Sequence, residues 1–375
     1  MTTDTLRVSH PSDLLAYVPY RVGYQPSRSI VLVCLRGPRH RVGLVTRVDL
    51  PPDGAALDVQ VQRLVAFAAS DGATAVVLVV YAEPGDESVA HADVVRTVQD
   101  ETEAADLELL DAYLVGRGRY SSLVCDNPRC CPPAGHPLSD LASSVVSAEM
   151  VALGAVVGAD RAEALGNLTP ADDDRRARVE RAAGLAASTA PVRPAKRARW
   201  RSRLLTAWRR EAAAAATGAD GEVPADVAGS LLAGLDDPTL RDAVMLSCVP
   251  GCGLAPEALA AHGLDQDVAS LLDRVFDAED AIRPDGDRAD ASSAVLRSLV
   301  RQGTPPRTAA PLGLLAWLSW WHGDGSTARS LVDLALASDP GHRLALLLGE
   351  ALDRGVPPGW AQRDRQLDLT GAPRE

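Results

Sequence analysis

Ala73-Thr-Ala-Val-Val-Leu-Val-Val-Tyr81 decides the fold of the first third of this chain. The run is short, rich in β-branched residues and fully apolar after Thr74, so it reads as a strand buried on both faces. Ser29-Ile-Val-Leu-Val-Cys-Leu35 is a second run of the same kind. Gly37-Pro38 turns the chain after it, and Arg41 to Leu50 reads as an antiparallel partner that ends at Pro51-Pro52. A helix is expected over 54–70, with Leu57, Val61, Leu64, Val65 and Ala68 on one face. A polar-faced helix from Asp86 to Ala104 follows the central strand. Leu107 to Val115 and Tyr120 to Cys125 then read as short strands joined at Gly116-Arg-Gly-Arg119, a hairpin turn in which glycine supplies the positive φ. A short helix is expected from Ser12, stopping at Pro19. The order predicts an α/β domain with a mixed sheet covered by helices, over residues 1–136.

Beyond Leu138 strand signals nearly vanish, and alanine and leucine at helical spacing take over. Residues 137–375 are therefore expected to be an all-α region, with the Ala-, Ser- and Pro-rich stretch 184–194 as a linker. Within it, Leu312, Leu315, Ala316, Ser319, Gly323, Ala328, Val332, Ala335 and Pro340 follow the spacing of a tetratricopeptide unit, over about 309–342. Ala294 and Pro306 lie 34 residues before Ala328 and Pro340, which hints at an eroded second unit.

Composition removes several function classes. Lys196 is the only lysine, and it lies in an arginine-rich segment with neither the glycines of a phosphate loop nor an apolar pocket for a Schiff base. The excess of arginine, alanine and valine reads as codon bias of a GC-rich genome. A net charge of −12 opposes bulk attraction to nucleic acid or anionic lipid. No apolar run approaches the roughly 18 residues of a membrane span. Met1-Thr-Thr-Asp-Thr-Leu does not read as a secretion signal, so a cytoplasmic location and reduced thiols are expected. No H-E-x-x-H, G-x-S-x-G or G-x-G-x-x-G stands in a strand–helix context.

Chemistry concentrates in Cys125-Asp-Asn-Pro-Arg-Cys130-Cys131-Pro-Pro-Ala-Gly-His136, which holds three of the six cysteines. Cys125, Cys130, Cys131 and His136 supply three sulfurs and one nitrogen, a donor set suited to zinc. The C-x4-C-C-x4-H spacing is not that of paired two-residue knuckles, and adjacent cysteines seldom both reach one ion. Redox or disulfide chemistry is one alternative for the segment, and a tight turn with small thiols is the plain one. Tyr81-Ala-Glu-Pro-Gly-Asp86 ends the central strand where an open α/β sheet places a ligand, with Glu83 and Asp86 as an acid and base or simply as solvated groups.

The strongly basic run is Arg193 to Arg210. Trp200, Leu204 and Trp208 share one helical face, and Arg197, Arg201, Arg203 and Arg209 form the candidate basic surface. Such a helix can touch nucleic acid, membrane or protein. Its plain reading is a helix docked by its tryptophans, with arginines offsetting acids such as Asp172 to Asp174. Cys248 and Cys252 read as buried thiols at a helix end, and His322 and His342 as cap residues flanking the repeat-like hairpin.

Three stretches carry a family resemblance: Pro11-Ser-Asp-Leu-Leu-Ala-Tyr-Val-Pro19-Tyr-x2-Gly23-Tyr-x-Pro26-x2-Ser29-Ile-Val, Cys125-Asp-x-Pro-x-Cys-Cys-Pro132-Pro-x-Gly135, and Ala310-Pro-Leu-Gly-Leu-Leu-Ala-Trp317. Together they resemble an uncharacterised actinobacterial family catalogued as domain of unknown function 4192. The resemblance spans nearly the whole chain, agrees with the codon bias and implies no particular activity. It does not extend to His136.

These features lead first to a non-catalytic interaction or regulatory protein whose helical half meets a protein partner. A second expectation is an enzyme with a pocket between its domains, served by the Cys125–His136 or the Glu83–Asp86 loop. Nucleic-acid binding through Arg193 to Arg210 is the third, and a membrane role is excluded.

Overall fold

The structure is a computed structural model that describes residues 10–37, 40–51, 53–83, 91–153, 155, 157–218 and 222–370, with side chains described as far as 364. The chain divides into two compact units, Met1–Ala164 and Leu165–Glu375.

The first unit is built on one mixed sheet of β1 (Ser29–Arg36), β2 (Arg41–Asp49), β3 (Ala73–Tyr81), β4 (Glu108–Gly116), β5 (Arg119–Ser122) and β6 (His136–Pro137). Its strand order is β2-β1-β3-β4-β5-β6. The β3–β4 pair is parallel and the rest are antiparallel. Alternation along β1 and β3 explains why both runs are wholly apolar. Ile30, Leu32, Cys34, Val76, Leu78 and Val80 face one core, with Leu57, Val61, Leu64, Val65 and Ala68 of α2 (Gly54–Ser70) and Val94 and Val98 of α3 (His91–Ala104). Val31, Val33, Leu35, Val77, Val79 and Tyr81 face the other, against Leu14, Leu15, Val18 and Val22 of α1 (Pro11–Val22).

Several boundaries depart from expectation for physical reasons. Pro19 does not stop α1: the helix runs on to Val22, and its end is set by Gly23 at φ 87, whose N–H donates to the Pro19 carbonyl at 2.8 Å. Burial of Val18 and Val22 outweighs the bond that the proline nitrogen cannot make. β5 stops at Ser122 rather than Cys125, because the Ser122 hydroxyl accepts from the N–H groups of Val124 and Cys125 at 3.2 and 3.0 Å and turns the chain off the sheet. The β4–β5 turn holds both Arg117 (φ 53) and Gly118 (φ 72) in the left-handed region, as a two-residue hairpin requires. The expected start of α3 at Asp86 lies outside the described residues.

The first unit also continues past residue 136. Short helices α4 (Ser139–Ala142) and α5 (Val145–Ala152) pack against α1, with Val146 buried, and Gly158 bridges to Tyr24. Helical pattern alone places these residues with the helical half; their packing partners place them with the sheet.

Every regular element described in the second unit is helical. Asp173–Ser188, Pro194–Ala216, Ala225–Leu235, Pro238–Ser247 and Gly286–Gln302 share one apolar core with the C-terminal helices. Within 184–194, Gly184 to Ser188 close one helix and Pro194 opens the next, leaving 189–193 as the connection between them. Ala309–Trp321 and Gly325–Ser338 form an antiparallel-type hairpin linked by His322 to Asp324, with Asp324 accepting from the Thr327 N–H at 2.9 Å. Ala316, Ala328 and Ala335 are completely buried, consistent with the close helix approach of a tetratricopeptide-like hairpin. Ala294 is exposed where Ala328 is buried, so the 34-residue correspondence between them does not carry into packing. His322 and His342 stand at a helix C-cap and a helix N-cap.

Candidate functional site

The cysteine segment is the connection between β5 and β6, at the edge of the sheet. Its two ends are held independently. At the first, the Ser122 hydroxyl caps Cys125 as described and donates to Asp111 Oδ1 on β4 at 3.1 Å. At the second, the guanidinium of Arg119 on β5 donates through Nη2 to the Gly135 carbonyl at 2.9 Å and through Nε to that of Ala134. Gly135 sits at φ 69, and a Cβ there would meet the Tyr120 carbonyl at 2.7 Å, so only glycine lets the chain rejoin the sheet. Between these anchors the Asn127 carbonyl accepts the N–H groups of Cys130 and Cys131 at 3.2 and 2.8 Å, a turn that brings both back toward Cys125.

The three thiols converge: the Sγ atoms of Cys125, Cys130 and Cys131 all lie within 4.8 Å of one another. Cys125 and Cys130 are 3.5 Å apart at sulfur. Among the described residues this is the one group of three or more metal-type ligands so placed. A tetrahedral zinc at about 2.3 Å from each sulfur wants sulfurs roughly 3.8 Å apart, so small side-chain shifts suffice and the residues fit the ion. Cys130 is exposed, and Cys125 and Cys131 are half-buried. Adjacency of Cys130 and Cys131, which argued against both reaching one ion, is overcome by the tight turn at Asn127.

His136 is placed differently. Its Nε2 lies 2.8 Å from the Cys130 carbonyl, to which it donates, and its ring stacks on Tyr120 at 5.0 Å between centroids. The imidazole thus buttresses the loop backbone and does not join the sulfur cluster. The cluster by itself supplies three donors and leaves a fourth position for another ligand.

Electrostatics separate the thiols. Hydrogen bonding from the Asn127 backbone, then from Cys131 and Cys130, pulls Cys125 below the ordinary thiol value. Desolvation, followed by hydrogen bonds to Cys125 and Cys130, pushes Cys131 up to about 12. Ionisation is thus favoured at Cys125 and opposed at Cys131, a conflict that a bound cation would remove. Burial, with a hydrogen bond to Asp111, also raises Tyr113 behind the loop.

The basic run folds as the helix Pro194–Ala216, with Trp200, Leu204 and Trp208 buried. Trp208 Nε1 donates to Ser247 Oγ at 3.0 Å. Arg197 and Arg201 donate to Asp237 Oδ2 at 2.7 and 2.9 Å, and Arg209 to Glu257 at 3.0 Å. These acids, not Asp172 to Asp174, receive the arginines. Arg203 is exposed. Glu83 is exposed at the end of β3, and Asp86 lies outside the described residues. Cys248 and Cys252 are buried, the former bonded to Ser292 Oγ at 3.4 Å and pushed up to about 11 by burial.

Ser122, Asn127 and Arg119 shape the thiol loop, yet sequence reasoning passed over them. The available signal was Ser and Asn at turn-forming offsets around the cysteines. No helix among the described residues is long and apolar enough to cross a membrane.

No curated protein and no solved structure matches the chain. The family model described as a domain of unknown function, DUF4192, matches residues 11–359. That span takes in the α1 motif, the thiol loop and the Ala310–Trp317 stretch alike, and the chain belongs to this family.

Proposed function

We propose that the protein is a non-catalytic, cytoplasmic regulatory module whose input is a thiophilic metal ion, zinc first, held by Cys125, Cys130 and Cys131. The observation that carries this reading is the convergence of three sulfurs within 4.8 Å on a loop anchored at both ends. Bound there, the ion would supply a positive charge that stabilises all three thiolates. His136 and Arg119 hold the backbone beneath it. The output runs through a protein partner on the helical half, where Leu334, Leu346 and Leu347 are exposed near the end of the chain. The pairing of Arg197 and Arg201 with Asp237, and of Arg209 with Glu257, favours protein over nucleic acid as that partner.

The test is metal content per chain, on protein purified in reductant without a metal-affinity column. About one zinc per chain, lost in Cys130→Ser, is expected. Protein that holds no zinc and takes none up from solution would overturn the metal reading.

A further inference from the structure

We infer that the thiol loop is also a site of reversible oxidation, at which a hydroperoxide joins Cys125 to Cys130 as an intramolecular disulfide. This deepens the proposed reading of the loop, since the bond consumes two of the three sulfurs that would hold the ion. Geometry selects the pair. Their sulfurs are 3.5 Å apart, while a disulfide needs about 2.0 Å, a gap that side-chain rotation on an exposed turn can close. Cys130 and Cys131 are the poorer pair despite being neighbours. Their Cα atoms stand about 3.8 Å apart across one trans peptide, short of the roughly 4.4 Å at which disulfides begin. Cys131, half-buried like Cys125 and within 4.8 Å of it at sulfur, is the competing partner, and it stays behind as a thiol because the 3.5 Å contact of Cys125 is with Cys130. Cys34, Cys248 and Cys252 are buried, away from a dissolved oxidant.

The chemistry balances within the pair and its oxidant. One sulfur of the pair attacks a peroxide oxygen, the O–O bond breaks, and a sulfenic acid forms as water or an alcohol leaves with the thiol proton. The second sulfur then attacks the first, the S–O bond breaks, and water leaves with the second proton. Two electrons pass from the two thiols to the peroxide, and a small thiol or dithiol reverses the step by exchange.

The experiment uses full-length, reduced, metal-stripped protein treated with a slight excess of hydrogen peroxide. Thiols are counted under denaturing conditions, and the cross-link is mapped by mass spectrometry. Two of the six thiols should disappear, with a Cys125–Cys130 link that dithiothreitol reverses. Cys131→Ser should retain the link, and Cys130→Ser should lose it while Cys125 remains trappable as a sulfenic acid. Survival of all six thiols, a Cys125–Cys131 link, or a bond between chains would overturn the inference. Zinc loading separates it from the metal reading. A disulfide in protein that takes up no zinc upholds the inference alone. Zinc uptake with all thiols surviving peroxide, before and after loading, upholds the metal reading alone.

Discussion

Asp237 offers the sharpest test of whether the basic helix is structural. It is 2% exposed and begins the helix Pro238–Ser247, where its Oδ1 accepts from the N–H groups of Thr239 and Leu240 at 3.0 and 3.3 Å. Its Oδ2 receives Arg197 and Arg201 at 2.7 and 2.9 Å. Asp237→Ala removes an N-cap worth about 1 kcal/mol. It also removes two charge-assisted bonds, worth about 1.5 kcal/mol each once solvent at the arginines is allowed for. The loss of about 4 kcal/mol should lower the melting temperature of the helical half by about 8–16 °C. Asp237→Asn has one carbonyl oxygen, which can keep the cap while its NH2 group faces the two arginines, so it should lose about 3 kcal/mol. The pH dependence has a definite sign. Burial alone would raise this carboxyl, but the hydrogen bonds from Arg201 and Arg197 outweigh it and hold it below the ordinary value. Its contribution is therefore full above the unfolded pKa, about 4, and fades as pH falls through the depressed folded value. Thermal unfolding followed by far-ultraviolet circular dichroism reads both effects. An Asp237→Ala midpoint equal to wild type, or a wild-type advantage that grows in acid, would refute the reasoning.

Other outcomes follow from the same contacts. His136→Ala should keep the zinc stoichiometry of wild type by elemental analysis, because the imidazole serves the Cys130 carbonyl; loss of the ion would make it a ligand. Gly135→Ala, forced to φ 69 against the Tyr120 carbonyl, should cost about 2 kcal/mol or more in urea unfolding. Arg203→Glu should leave the melting temperature unchanged, and wild type should pass through a heparin column at physiological salt; retention there would revive the nucleic-acid reading. Zinc or a Cys125–Cys130 disulfide should slow hydrogen exchange at β5–β6 amides by about tenfold or more, with β1 and β3 unchanged.

The interior of the first unit was open to sequence reasoning because burial on both faces leaves one signature, an unbroken apolar run. α2 and β3 occupy the residues expected for them, down to the buried face of α2. Errors fell where one local rule met a stronger neighbour. Pro19 reads as a stop, yet the apolar face of α1 carries the helix past it. Val124 and Cys125 read as strand, yet a single serine hydroxyl captures their N–H groups. The thiol loop was legible as a cluster of donors but not as a geometry. Spacing cannot show that the Asn127 carbonyl folds two adjacent cysteines onto a third, nor that His136 spends its ring nitrogen on the backbone. The pairing of Arg197 and Arg201 with Asp237 joins residues about 40 apart, beyond any periodicity argument.

The place of the loop in the sheet limits what its thiols can govern. β5 pairs over four residues and β6 over two, so this edge rests on few backbone bonds. β1 and β3, by contrast, lie inside two hydrophobic cores and pair along their length. Fixing residue 125 to residue 130, by a bond or a shared ion, removes about 2 kcal/mol of chain entropy from the open state. That is small beside the stability of a whole domain but comparable to what a two-residue edge strand can hold. A change of thiol state would therefore tighten or free the β5–β6 edge while the doubly covered interior stays folded. An edge so released also exposes backbone donors and acceptors to a partner. A cluster at the sheet edge that would change state without unfolding its domain fits a regulatory input better than a structural staple, which would be expected to close a long loop through the core.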